Sequence, residues 1–163
     1  MTPIVLLECL EEFVKDKTKD IMLQVRVRNQ NPDEEKERAA GVYKMRLPNK
    51  EDQTQKIPYI LLQVLKGEDQ KEERGPQEST CQIRIIVATY SEDGGTGSFD
   101  VLNVLMRLKS ELEKVGIIGN RFTLQLPLEW IVYPDTTQPY YLGEMMTNWE
   151  LPVIKREVEE IWQ

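Results

Sequence analysis

Apolar residues recur at Leu6, Leu10, Phe13 and Val14, a spacing that puts them on one side of a helix over residues 3–17. Thr2 and Pro3 mark its start, a hydroxyl residue followed by an imino acid with no amide hydrogen to leave unpaired. Leu23, Val25 and Val27 then alternate with Gln24, Arg26 and Arg28, the signature of a half-exposed strand. Tyr43, Met45 and Leu47 alternate with Lys44 and Arg46 and predict a second strand, ending at Pro48. Residues 59–65 (YILLQVL) are apolar on both faces, as in a strand within a covered sheet. Residues 29–39, 49–56 and 66–79 are charged or polar and predict loops.

Residues 80–90 predict a mostly β-branched strand, with Gln82 and Arg84 on one face and Ile83, Ile85 and Val87 on the other. The turn SEDGGTGS leads to the clearest helical stripe, formed by Val101, Val104, Leu105, Leu108, Leu112 and Val115, with Gly116 as its stop. Phe122, Leu124, Leu126 and Leu128 alternate with polar residues, and Pro127 places this strand at an edge or at a bulge. Residues 130–150 predict a strand end, a Pro-rich turn and a return strand, and residues 153–162 a short charged helix. Together these elements predict one α+β domain over residues 1–163. Its sheet is expected to be mainly antiparallel, with four or five strands, packed by the N-terminal helix and the long amphipathic helix. The two strands flanking the long helix are alternatively parallel through a crossover.

Composition narrows the chemistry. The chain of 163 residues carries a net charge of −7 and no histidine, which removes Ser-His-Asp and Cys-His catalysis and the commonest metal ligand. Its acidic balance opposes a general grip on nucleic-acid phosphates, and Lys15, Lys17 and Lys19 read as a solvated helix end. Cys9 and Cys81 are too far apart for metal-ligand spacing and read as small buried hydrophobes. No window is long and apolar enough for a membrane-spanning helix. The first residues lack a basic flank and soon meet Glu8 and Glu11, so no secretory leader is expected.

The glycines at 94, 95 and 97 sit between a strand and a helix, where phosphate-binding loops occur, but no Lys-Ser/Thr pair follows and Glu92, Asp93 and Asp100 would repel phosphate. A turn with Ser98 capping the helix is the simpler reading. Glu129, Asp135 and Glu144 are the candidate acid–base carboxylates, with nothing in the sequence to mark a buried pair. No catalytic residue, cofactor or metal ligand is assigned. The aromatic group Trp130, Tyr133, Tyr140, Tyr141 and Trp149 is the candidate protein interface, with burial at one end of the sheet as the alternative. Met145 and Met146 read as core filler.

The order of segments resembles the tail terminator (tail completion) proteins of tailed bacteriophages. The likeness spans most of residues 1–155: an N-terminal helix, a strand ending at Pro48, then KIPYILLQVLKGED, IRIIVATYSED, DVLNVLMRLKSEL, RFTLQLPLEWIVYP and PYYLGEMMTNWELPV. It implies a structural virion subunit that forms a ring of six at the head-proximal end of the tail, assembled in the host cytoplasm. Such a ring would end tube growth and receive the head or neck connector. Its implied partners are the tail tube protein, the connector protein and, in contractile tails, the sheath, with no nucleic acid or membrane contact required. Another head–tail connector role, or an acidic binding or inhibitor module, is the alternative.

Overall fold

A computed structural model describes residues 2–27, 35–48 and 56–154. In chain order the elements are α1 (Pro3–Thr18), β1 (Leu23–Gln24), β2 (Glu37–Arg38), β3 (Gly41–Lys44), β4 (Tyr59–Lys71) and β5 (Gln77–Tyr90). They continue with α2 (Ser98–Val115), β6 (Ile117–Ile118), β7 (Phe122–Val132) and β8 (Tyr140–Leu151). β1 and β2 pair by themselves, and the other strands form one sheet in the order β3-β4-β5-β8-β7-β6.

The class is α+β, as the pattern predicts, but the sheet has six strands and is mixed: β3 runs parallel to β4 and every other pair is antiparallel. β5 and β7, which flank α2, are parallel to each other but not adjacent, because β8 inserts between them and pairs antiparallel with both. Neither flanking strand carries information about what fills that gap.

Alternation places the core. Cys81, Ile83, Ile85 and Val87 of β5 and Tyr141, Met145, Thr147 and Trp149 of β8 point to one side and are buried. There they meet Leu6, Leu10 and Val14 of α1 and Val101, Val104, Leu105, Leu108 and Leu112 of α2 in one cluster. Both helices therefore roof the same face. α2 ends where Gly116 turns to φ +67° and its N–H donates to the Leu112 carbonyl at 2.9 Å. At α1, Pro3 opens the helix and Thr2 precedes it, but the Thr2 hydroxyl makes no capping bond, and Ser98 likewise does not cap α2.

Several expectations need correction. The strand expected from residue 23 shrinks to the two residues of β1, and the one expected over 43–47 is β3, which stops at Lys44 as Met45 takes φ +64°. Residues 66–79 are mostly strand: β4 and β5 stay paired up to Lys71 opposite Gln77, their last two pairs forming a two-stranded ribbon past the end of β8, with a turn only over 72–76. An arm wet on both faces needs no apolar alternation, so its sequence looks like loop. Of the expected 29–39 loop, Glu37 and Arg38 form β2. Residues 28–34 and 49–55 lie outside the described residues, as does the expected terminal helix beyond residue 154; Val153 and Ile154 are not helical. Pro127 coincides with a register shift between Gln125 and Glu129, the bulge its missing donor predicts.

Candidate interaction surface

The face of the sheet opposite the helices has no covering layer among the described elements. At one end it is apolar. Ile57, Ala88 and Tyr90 are buried there, with Tyr59, Tyr140 and Leu142 packed against them. The Tyr90 and Tyr140 rings stand 5.8 Å apart at 55°, a tilted aromatic contact. A cavity of about 520 Å³ opens beside them, lined by Ile57, Tyr59, Tyr140 and Leu142 and walled by residues 133–137 of the β7–β8 turn.

The five aromatics singled out from the sequence fall in three places. Tyr133 and Tyr140 both line this cavity. Tyr141 and Trp149 face the helices and are buried, Trp149 completely. They are corrected from interface to core. Successive strand residues point to opposite faces, so Tyr140 and Tyr141 had to divide between cavity and core. Trp130 is half exposed on β7, beside a neighbouring hollow lined by Gln82, Leu128, Glu129, Ile131, Glu144 and Met146. Met145 is core, as expected.

Polar groups fix the rim. The Arg26 guanidinium donates to the Tyr140 hydroxyl at 2.8 Å, and the Tyr90 hydroxyl donates to the Glu92 carboxylate at 3.1 Å. Burial, reinforced by Glu92, pushes the Tyr90 phenol above its ordinary value, and burial does the same to Tyr59. Glu144 stands 3.5 Å from the Arg84 Nε and accepts from the Tyr133 hydroxyl, which raises the Tyr133 phenol. Arg84, Glu144 and Tyr133 thus link β5, β8 and the turn.

The three candidate carboxylates divide between two hollows. Asp135 lies at the cavity, while Glu144 is held by Arg84 and lines the other hollow with Glu129. The glycine turn is closed on itself. The Asp93 carboxylate accepts from Gly95 N–H at 2.9 Å, Thr96 N–H at 3.4 Å and Thr96 Oγ1 at 2.8 Å, which lowers its pKa. Donors that a phosphate would need are therefore already engaged by a carboxylate. Gly97 has a different reason to be glycine: a Cβ there would stand 2.5 Å from the Tyr141 ring.

Among the lysines at the end of α1, Lys15 pairs with Glu11, Lys19 with Asp16, and Lys17 with Asp16 and Glu111, which makes a neutralised helix end. Among the described residues no group of three His, Cys, Asp or Glu side chains could hold a metal, and no helix is long and apolar enough to cross a membrane. Sequence reasoning missed Ile57, Tyr59, Tyr90 and Leu142. The available signal was the run 59–65, whose apolar residues on both faces require something apolar beneath the sheet as well as above it.

The architecture defines an α+β protein with an aromatic, cavity-bearing end on the uncovered face of its sheet. No family model and no curated protein matches the chain. The solved structures similar to the chain include one that matches over 93% of each chain, at 13% identity and a TM-score of 0.44. A likeness of that depth carries no argument about function.

Proposed function

We propose that this protein is a structural subunit of a phage tail, forming a ring that caps the head-proximal end of the tail tube, stops its growth and offers a docking surface to the head or neck. The observation that best supports this reading is the one-sided sheet. α1 and α2 roof one face, while the other is uncovered and carries an aromatic, cavity-bearing end. The ribbon of β4 and β5 extends beyond it. A subunit of this shape offers several distinct surfaces, as capping requires: one for its neighbours, one for the tube, one for the neck. The segment order that resembles the tail terminators supports the same reading.

The mechanism is geometric. A ring that copies the tube on one side accepts the last tube layer, and its other side presents nothing on which a further layer can add. Ring closure requires a head-to-tail interface whose rotation closes.

The test is light scattering with negative-stain imaging of the purified chain across concentration, followed by addition to growing tail tubes. Closed rings near sixfold monomer mass and arrested, capped tubes are expected. Tubes that elongate unchanged in the presence of the protein overturn the reading.

A further inference from the structure

The sheet ends in two open edges, at opposite sides and opposite ends. On one side β3 covers β4 only from Tyr59 to Leu62, and Met45 extends the cover with its N–H to the Leu62 carbonyl at 2.7 Å. From residue 65 to residue 71 nothing among the described residues pairs with the outer side of β4. On the other side β6 covers β7 only at Phe122 and Thr123, and the Leu124 N–H reaches the Gly116 carbonyl at 2.8 Å. From 125 to 132 the outer side of β7 is likewise unpaired among the described residues.

Open edges of this length are normally blunted by charge, proline or a bulge. β4 has such protection in Lys66, Glu68, Asp69 and Lys71, and a register shift at Val64/Lys66. β7 has much less. Its only charge is Glu129, and it leaves Leu126, Trp130 and Ile131 exposed. Pro127 withholds a donor, and its carbonyl accepts from Asn148 Nδ2, so the pairing-competent stretch is 128–132.

The two edges are complementary. β4 is antiparallel to β5, β5 to β8 and β8 to β7, so β4 and β7 run in opposite directions. When a second copy is set beside the first with its helices on the same side, its β4 meets β7 antiparallel. With Glu68 opposite Glu129, Lys66 is the diagonal neighbour of Glu129 on the same face, and Gly67 lies opposite Trp130.

We propose that β7 of one copy pairs antiparallel with the 65–71 edge of β4 in the next, so that the sheets join head to tail. The proposal deepens the ring reading and rests on it for closure. Because the edges differ, the contact is heterologous, the kind that builds rings rather than twofold dimers. Cross-sheet register sets its geometry. Glu68 is level with Thr80 and Glu150, and Glu129 with Met146 and Arg84, so both belong to the uncovered face. Pairing them offsets neighbours along the strands by about four residues, or about 13 Å at a strand's rise per residue. The strands then tilt across the ring wall, as strands do in closed sheets. Helices from every copy lie on one side of that wall and the uncovered faces on the other.

The experiment uses the full chain with Cys9→Ser and Cys81→Ala, adding Glu68→Cys, Glu129→Cys or both, with a short bismaleimide as linker. Both added positions are exposed, and circular dichroism checks that each variant folds. The double variant should give a ladder of covalently linked chains up to the ring, and each single variant should stay monomeric on denaturing gels. Dimers from Glu129→Cys alone overturn the proposal in favour of a twofold β7–β7 contact. Rings seen by imaging with no ladder overturn edge pairing and leave the capping reading standing. Monomers throughout, with neither rings nor ladder, overturn edge pairing, while tube arrest separately decides the capping reading.

Discussion

Gly143 of β8 lies directly beneath Val101 of α2: a Cβ on Gly143 would stand 2.5 Å from Val101 Cγ1 and 2.9 Å from Leu105 Cδ1. The main-chain oxygen of Ile131 closes the same space at 3.1 Å. The missing side chain is what lets α2 settle onto the sheet between β7 and β8. Gly143→Ala should therefore cost about 1–3 kcal/mol through overpacking. Urea unfolding should show a lower midpoint at unchanged slope. An unshifted midpoint would mean that α2 rises off the sheet without penalty.

Trp149 is buried with its indole N–H donating to Thr147 Oγ1 at 2.8 Å, while that hydroxyl donates to the Ile83 carbonyl at 2.9 Å. Thr147→Val keeps the shape and removes the acceptor, leaving the indole N–H unpaired in the core. We expect a loss of about 1–3 kcal/mol. Differential denaturation followed by tryptophan fluorescence measures it, and a neutral result would place another acceptor beside the indole.

Glu11 joins α1 to β3: it accepts from Lys15 at 2.7 Å and stands 3.1 Å from Lys44. The hydrogen bond from Lys15, followed by that from Lys44 and both positive charges, holds its carboxyl below the ordinary value of 4.5 against the opposing effect of burial. A lowered carboxyl pKa contributes stability at pH above that ordinary value, and the contribution is lost as pH falls through the folded value. Glu11→Gln should thus be less stable than the parent at pH 7, by less than about 1 kcal/mol for a pair this open to solvent. Thermal melts across pH 3–7 should see the two curves converge at the acid end. A gap that persists or widens there would remove Glu11 as the cause.

The ribbon of β4 and β5 carries exposed side chains from Lys66 to Lys71 and contributes none of these to the core. Replacing residues 68–80 with an Asn-Gly turn, which joins Gly67 to its partner Cys81, should leave the domain folded, with a stability change of about 1 kcal/mol. The same variant should lose head-to-tail assembly, because its β4 edge is gone. A melt that loses cooperativity would instead make the arm part of the domain's own stability.

How much of this was legible in the chain depends on how many neighbours each element has. α2 and the core side of β5 follow from periodicity, because one wet side and one dry side write themselves into the sequence. The ribbon did not, since both of its faces are wet and its residues alternate nothing. β3 and β1 were overextended for a related reason: alternation of apolar and polar residues describes a half-buried chain, but not whether a partner strand is present. The aromatic site was legible in part. Tyr133 and Tyr140 do lie together on the uncovered face, whereas Tyr141 and Trp149 are on the core side of β8, a division that depends on register.

By itself the sequence determined the α+β class, both helices with their buried stripes, the stop at Gly116, the irregularity at Pro127 and the lack of a histidine-based centre. Each of these is a local property, decided within a few residues by backbone geometry or side-chain chemistry. Only the tertiary structure decided that β8 inserts between β5 and β7, that both helices cover the same face, and that Tyr59, Tyr90, Tyr133 and Tyr140 gather at the other. Those outcomes join segments far apart in the chain, and strand pairing is set by main-chain hydrogen bonds that are the same for almost every residue. A local pattern can say that a strand exists; which strand lies beside it is settled when the whole sheet closes over its core.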